Sequence, residues 1–202
     1  MTVFEKQEKR RREIALAVRE IMKKTEFDKI TVDDICNATG IAKGTFYHYF
    51  SSKDSLLDQI IYPIDDFFSN FEEELLEIPG FIEAITQFAE NYATYVTTSG
   101  MEMCRTVILA MMSSGNSRFV SHERGVINIL YKIISHWQQK GEITSEFSAK
   151  EICEMFVVVL RGYILNWYVS GGEYDLVDTM ITHLRLFAST FCINNDASNN
   201  NK

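Results

Sequence analysis

Apolar residues recur at three- and four-residue spacing along almost the whole chain, and no stretch alternates as a half-buried strand does. The first stripe, Ile14, Ala17, Val18, Ile21 and Met22, predicts a helix over residues 5–24. Phe27 and Ile30 follow in the connection and complete a small core with it. Thr31 offers the next N-cap, with Asp34 at the third helical position, Ile35 and Ala38 facing inward, and Gly40 where a left-handed residue ends the helix. Ile41 is the apolar anchor of the turn, Ala42 to Tyr49 form the following helix, and Ser51 or Ser52 caps a fourth that begins near Lys53. That helix reaches toward Ile78 if Pro63 only kinks it, and is divided if Pro63 breaks it. Leu56, Leu57, Ile60 and Ile61 pack back on the first helices, whereas Phe67, Phe68, Phe71, Leu75 and Leu76 belong with the later helices.

Pro79-Gly80 is the clearest break. Beyond it the periodicity predicts helices at 81–98, 102–114, 118–140, 148–170 and 174–193. Ser99-Gly100, Ser113 to Asn116, Lys140-Gly141 and Ser170 to Gly172 separate them. The expected fold is all-α: a three-helix head with a helix-turn-helix over residues 1–58, then a body of roughly six helices over 59–195. Residues 196–202, polar and rich in Asn, are expected to form a disordered tail.

Composition changes this picture little; 46% hydrophobic and 24% charged residues are ordinary for a globular protein. No uninterrupted apolar run of about 18 residues occurs, so no membrane span is expected, and the charged N-terminus lacks the apolar core of a secretion signal. Cys36, Cys104, Cys153 and Cys192 have no metal-type spacing, and reduced, mostly buried thiols of a cytoplasmic protein are expected. His122, His136 and His183 are isolated, so neither a metal nor a cofactor is expected. Charge says more. The net −8 lies almost wholly on residues 59–202, while residues 1–58 are near balance. From Ile35 to Lys53 there are two lysines and no acid, and Lys9 to Arg12 add a second basic cluster. Binding a polyanion needs local positive charge, not a basic whole.

The span from Thr31 to Leu57 has the layout of a DNA-reading helix-turn-helix: helix, tight turn, a short aromatic helix, then a capped helix start. Lys43 and Gly44 open the recognition helix. Gly44 lets the backbone approach the groove floor, Lys43 reaches a phosphate or a guanine edge, and Thr45 reaches a base or a thymine methyl. Phe46 and Phe50, four apart, belong to the core. The polar tips of Tyr47 and His48 suit phosphates, as do Thr31 and Lys53 at helix N-termini. Tyr49 stays open between packing and DNA contact. Lys9 to Arg12 are expected as a solvated helix start, with minor-groove entry by Arg11 or Arg12 as the alternative.

On these residues, Thr31-Val-x-x-Ile-Cys-x-x-x-Gly-Ile-x-Lys-Gly-Thr-Phe-Tyr-x-Tyr-Phe-x-x-Lys-x-x-Leu, the chain resembles the TetR/AcrR family of bacterial transcriptional regulators over roughly residues 10–57. The resemblance implies a three-helix DNA head and about six further helices that bind a ligand and dimerise through the last two long ones. It also implies similar roles for the matching positions. Past residue 60 the likeness is one of architecture.

Residues 152–168 are apolar around nearly the whole helix circumference, and residues 176–191 carry another wide stripe. Such helices need burial on more than one side, which predicts a homodimer through residues 152–191. Two heads would then meet successive half-sites of a palindromic operator on double-stranded DNA. The aromatic and methionine-rich body suits a mostly apolar effector pocket. Tyr92, Met111, Trp137, Phe156, Tyr163 and Trp167 are its candidate lining, with Arg105 and Asn166 as polar handles. The expected function is that of a homodimeric, sequence-specific DNA-binding regulator, a repressor released by a small, largely hydrophobic effector. The fourth helix, reaching from head to body, is the expected lever. The alternative is a DNA-binding regulator whose C-terminal domain docks a protein partner. No nucleophile–base pair, metal cluster or phosphate loop stands out, so no enzyme is expected.

Overall fold

The computed structural model describes residues 2–61, 63–112 and 125–193. The expected end of the 102–114 helix, the start of the 118–140 helix, the break at Ser113 to Asn116, His122 and the tail 196–202 lie outside the described residues. Within them the fold is all-α, with α1 (Val3–Met22), α2 (Val32–Thr39), α3 (Lys43–Tyr49), α4 (Leu57–Ile61), α5 (Pro63–Ser69) and α6 (Glu72–Glu77). The longer α7 (Phe81–Ser99), α8 (Met101–Met112), α9 (Gly125–Gln139), α10 (Ala149–Val169) and α11 (Leu176–Ser189) follow. Short 3₁₀ turns occupy Phe27–Lys29 and Asp54–Leu56. Contacts divide the chain into two units, Met1–Ile64 with Ser99–Asn116, and Asp65–Thr98 with Ser117–Lys202.

In the first unit, reciprocal capping boxes start α1 and α2. Thr2 Oγ1 accepts from Glu5 N, and Thr31 Oγ1 accepts from Asp34 N, while each acid accepts from the cap's own N–H. Gly40 closes α2 at φ +66°, a conformation that favours glycine. The core gathers Ile14, Val18, Met22, Phe27, Ile30, Ile35, Phe46, Phe50, Leu56 and Ile60. The Phe46 and Phe50 rings lie 5.4 Å apart, and burying each contributes about 1.5–3 kcal/mol. One expectation needs correction. Ala38 is exposed and Cys36 is buried in its place. The inward face of α2 runs through Val32, Ile35, Cys36 and Thr39, at i, i+3, i+4 and i+7, which turns Ala38 outward. Met103, from α8, joins this core, and α8 packs on α1.

The expected fourth helix is interrupted at Asn70 and Phe71, which form a turn between α5 and α6. Tyr62, between α4 and α5, lies outside the described residues, and with it the choice between a kink and a break at Pro63. The stretch from Leu57 to Glu77 therefore does not form one uninterrupted lever.

In the second unit α9 packs on α6 and α10, and α10 packs on α11. Asp65 Oδ1 accepts from Val126 N at 2.9 Å, beside the first described residue of α9. A Cβ on Gly125 would come within 3.1 Å of the Asp65 Cβ, so the close approach favours glycine there. Ile152, Cys153, Phe156, Leu160 and Trp167 bury one face of α10. Its opposite residues Met155, Val158, Leu165 and Val169 are exposed, as is Leu186 on α11. Counter to the expectation from uninterrupted runs, α10 is long and apolar enough to cross a membrane by length and composition. It begins with a Ser148–Glu151 capping box and lies between α9 and α11 in a bundle. After α9 the chain returns to the end of α11 through an isolated bridge between Ile143 and Cys192.

Candidate nucleic-acid interface

The turn between α2 and α3 is built from local signals. Ile41 N donates to Cys36 O at 3.2 Å, and Ala42 caps α3 through its backbone alone. Phe46 and Phe50 anchor α3 from beneath. That fixes its outer face as Lys43, Gly44, Thr45, Tyr47 and His48, all exposed, with the Tyr47 side chain 53% accessible. A Cβ on Gly44 would meet nothing within 4 Å, so the absent side chain leaves open surface. Tyr49 is half-buried, its ring 5.1 Å from that of His48. The five outward residues form one short strip of mixed donors and acceptors.

Three side chains around the strip are already engaged within the unit. Lys43 Nζ lies 2.8 Å from Asp33 Oδ1, and that carboxylate raises the lysine's pKa. The Thr31 hydroxyl donates to Asp34 Oδ2 at 2.6 Å and holds that carboxyl below its ordinary range. Lys53 is half-buried. Its ammonium lies 4.7 Å from the Phe27 ring centre and donates to Phe27 O at 2.9 Å and Asp28 O at 3.1 Å. Thr31 and Lys53 thus work first as scaffold. Arg11 likewise lies over the Phe50 ring at 5.2 Å, and Glu8 is its ion-pair partner at 3.6 Å.

Sequence reasoning missed the second clamp on the 27–28 segment. Glu102 Oε1 accepts from Phe27 N at 3.0 Å, and Arg105 pairs with Asp28 at 3.1 Å and with Glu102 at 3.3 Å. No local signal links residues 77 positions apart.

A family model of bacterial regulatory proteins, the tetR family, matches residues 14–60, which contain the second part of α1, all of α2 and α3, and most of α4. Over 155 residues the chain is 35% identical to the HTH-type transcriptional repressor KstR2 of Rhodococcus jostii (strain RHA1), covering 74% of each protein. The chain belongs to the TetR family. As such it is a DNA-binding transcriptional regulator, and α2 and α3 are the helix-turn-helix of a TetR head. It is also 23% identical over 173 residues to the fatty acid metabolism regulator protein of Bacillus subtilis (strain 168), covering 84% of this chain and 89% of that one. Solved TetR-type folds agree. FadR from Bacillus subtilis in complex with stearoyl-CoA matches with a TM-score of 0.73 at 21% identity, over 87% of this chain and 95% of that one. Thermus thermophilus FadR in complex with lauroyl-CoA matches with a TM-score of 0.71 at 14% identity, over 95% and 100%.

The effector candidates of this TetR-family chain are distributed. Arg105 and Met111 lie on α8 in the first unit. In the second, Tyr92 joins Phe68 and Phe88, with ring centres 5.9 and 6.1 Å away. Phe156 packs against Phe81, Phe187 and Phe191. Trp137 is buried, and its Nε1 has no hydrogen-bond partner among the described residues. Tyr163, Asn166 and Trp167 come together through Tyr174, which the sequence did not single out. The Tyr174 hydroxyl donates to Tyr163 O at 3.3 Å and Asn166 Oδ1 at 3.1 Å, while Trp167 Nε1 donates to Tyr174 O at 3.1 Å. Tyr163 and Asn166 line an open depression of about 450 Å³ on α10 and α11, with Tyr174 and His183.

Proposed function

We propose that this protein is a homodimeric repressor in the cytoplasm that leaves a palindromic operator when a fatty acyl thioester binds its second unit. The DNA part rests on one observation: α3 buries Phe46 and presents Lys43, Gly44, Thr45, Tyr47 and His48 outward. The strip is one helix face wide and suits a major groove. Repression follows the relative in Rhodococcus jostii. The effector class follows the Bacillus subtilis regulator of fatty acid metabolism, and two properties of the second unit support it. Phe67, Phe68, Phe71, Phe88, Tyr92 and Tyr95 form a continuous chain of ring contacts, apolar surroundings of the kind an acyl chain needs. Trp137 Nε1 is a buried donor with no partner among the described residues, and leaving such a group unbonded costs about 1–3 kcal/mol, which a carbonyl oxygen would offset.

The dimer reading rests on Met155, Val158, Leu165, Val169 and Leu186, apolar and exposed on α10 and α11. A second copy offers the same row and suits it without a further partner.

Release of a fluorescent duplex, selected from a random pool with the full-length protein, tests the effector. Stearoyl-CoA and lauroyl-CoA are expected to release the duplex and raise the melting temperature, and coenzyme A alone to do neither. If no acyl-CoA shifts either readout while the duplex still binds, the effector class is wrong and the DNA reading stands.

A further inference from the structure

Asp33 stands on the reading surface with no assigned role. Its neighbour Asp34 is folded back onto Thr31 in the α2 cap. Asp33 instead reaches across the turn, with its two carboxylate oxygens 2.8 and 2.9 Å from the Lys43 ammonium. Lys43 is the sole Lys or Arg between Ile35 and Ser52, and it is the first residue of α3. Both side chains of the pair are more than half exposed, at 56% and 63%. An exposed ion pair of this kind adds little to stability, so its consequence has to be sought in binding.

We propose that Asp33 sets discrimination between operator and other DNA, by occupying the Lys43 ammonium as a stand-in for phosphate until base contacts displace it. The proposal rests on reading α3 as the DNA-facing helix. On arbitrary duplex, attraction is chiefly that of cations for phosphate. A Lys43 neutralised by Asp33 contributes little there, and the carboxylate repels the backbone. On an operator, a guanine edge for Lys43 and a base contact for Thr45 compensate for the broken pair. Asp33 thus lowers non-specific affinity more than specific affinity, and the ratio between them rises.

The test is fluorescence anisotropy with full-length protein, over about 50–300 mM KCl, on a random-sequence duplex and on the selected duplex. Asp33→Asn is expected to bind the random duplex about fivefold more tightly near 0.15 M salt, and to steepen the salt slope by about 0.9, the increment for one added phosphate contact. The selected duplex gains less, so the specificity ratio falls. Combining Asp33→Asn with Lys43→Met abolishes the gain, and Asp33→Ser reproduces it in a protein whose melting curve shows it folded. An unchanged slope and ratio, or a gain that survives Lys43→Met, overturns the proposal. If Tyr47→Ala and Lys43→Met both leave binding to either duplex unchanged, the assignment of α3 as the interface fails first, and the proposal with it.

Discussion

Thr31 and Asp34 show how one pair of side chains makes a helix conditional on pH. The Thr31 hydroxyl and then its backbone N–H hold the Asp34 carboxyl below its ordinary value, so folding favours the charged form. The cap's contribution is complete above the ordinary value of 3.8 and is lost as pH falls through the lower folded value. Amide exchange in α2 is therefore expected to quicken in that acid window, and Asp34→Asn is expected to flatten the dependence. Unchanged acid sensitivity in the variant would place the titration elsewhere. Glu151, capping α10 with Ser148, titrates in the same direction and serves as an internal control in the second unit. The Thr31–Asp34 cap was legible in the sequence because donor and acceptor lie three residues apart, and the Ser148–Glu151 cap, not singled out there, has the same spacing. The Lys43–Asp33 pair was not legible, since Asp33 and Asp34 are chemically alike and only the path of the turn separates their partners. Burial likewise decides the thiols: it pushes Cys104 up to about 11 and Cys153 up to about 12, so neither is a nucleophile at neutral pH.

At the scale of elements, α8 holds the head's first connection from one side while Lys53 holds it from the other. Glu102→Ala leaves the part-buried Phe27 N–H without an acceptor and is expected to destabilise the first unit by about 1–2 kcal/mol. Arg105→Met, breaking ion pairs with the exposed Asp28 and the part-exposed Glu102, is expected to lower it by about 1 kcal/mol. The two tryptophans, Trp137 and Trp167, both belong to the second unit. Circular dichroism should therefore lose helical signal in Glu102→Ala before tryptophan emission changes, and coincident transitions would count against a separate head event. Helix positions were readable from apolar spacing, because burial on one face enforces the 3.6-residue period. The turn at Asn70-Phe71 contains neither proline nor glycine and was not readable in the sequence.

For the whole molecule, the exposed apolar row on α10 and α11 carries the assembly prediction. Val158→Asp combined with Leu165→Arg is expected to give a folded monomer by sedimentation and to weaken operator binding at least about a hundredfold, because two linked heads bind with avidity that one head lacks. A dimer that persists in this variant would move the interface elsewhere. The wide stripes on both helices were visible in the sequence, since an excess of apolar residues does not depend on knowing the neighbours. The partition of the chain was not, because Met103 looks like any body methionine until its place among Ile14, Phe46 and Phe50 is seen. That placement bears on engineering. A head taken as residues 1–58 leaves behind the helix that supplies Met103, Glu102 and Arg105. A chimera carrying this specificity onto another effector body should graft two separate stretches of sequence, because the portable module is discontinuous.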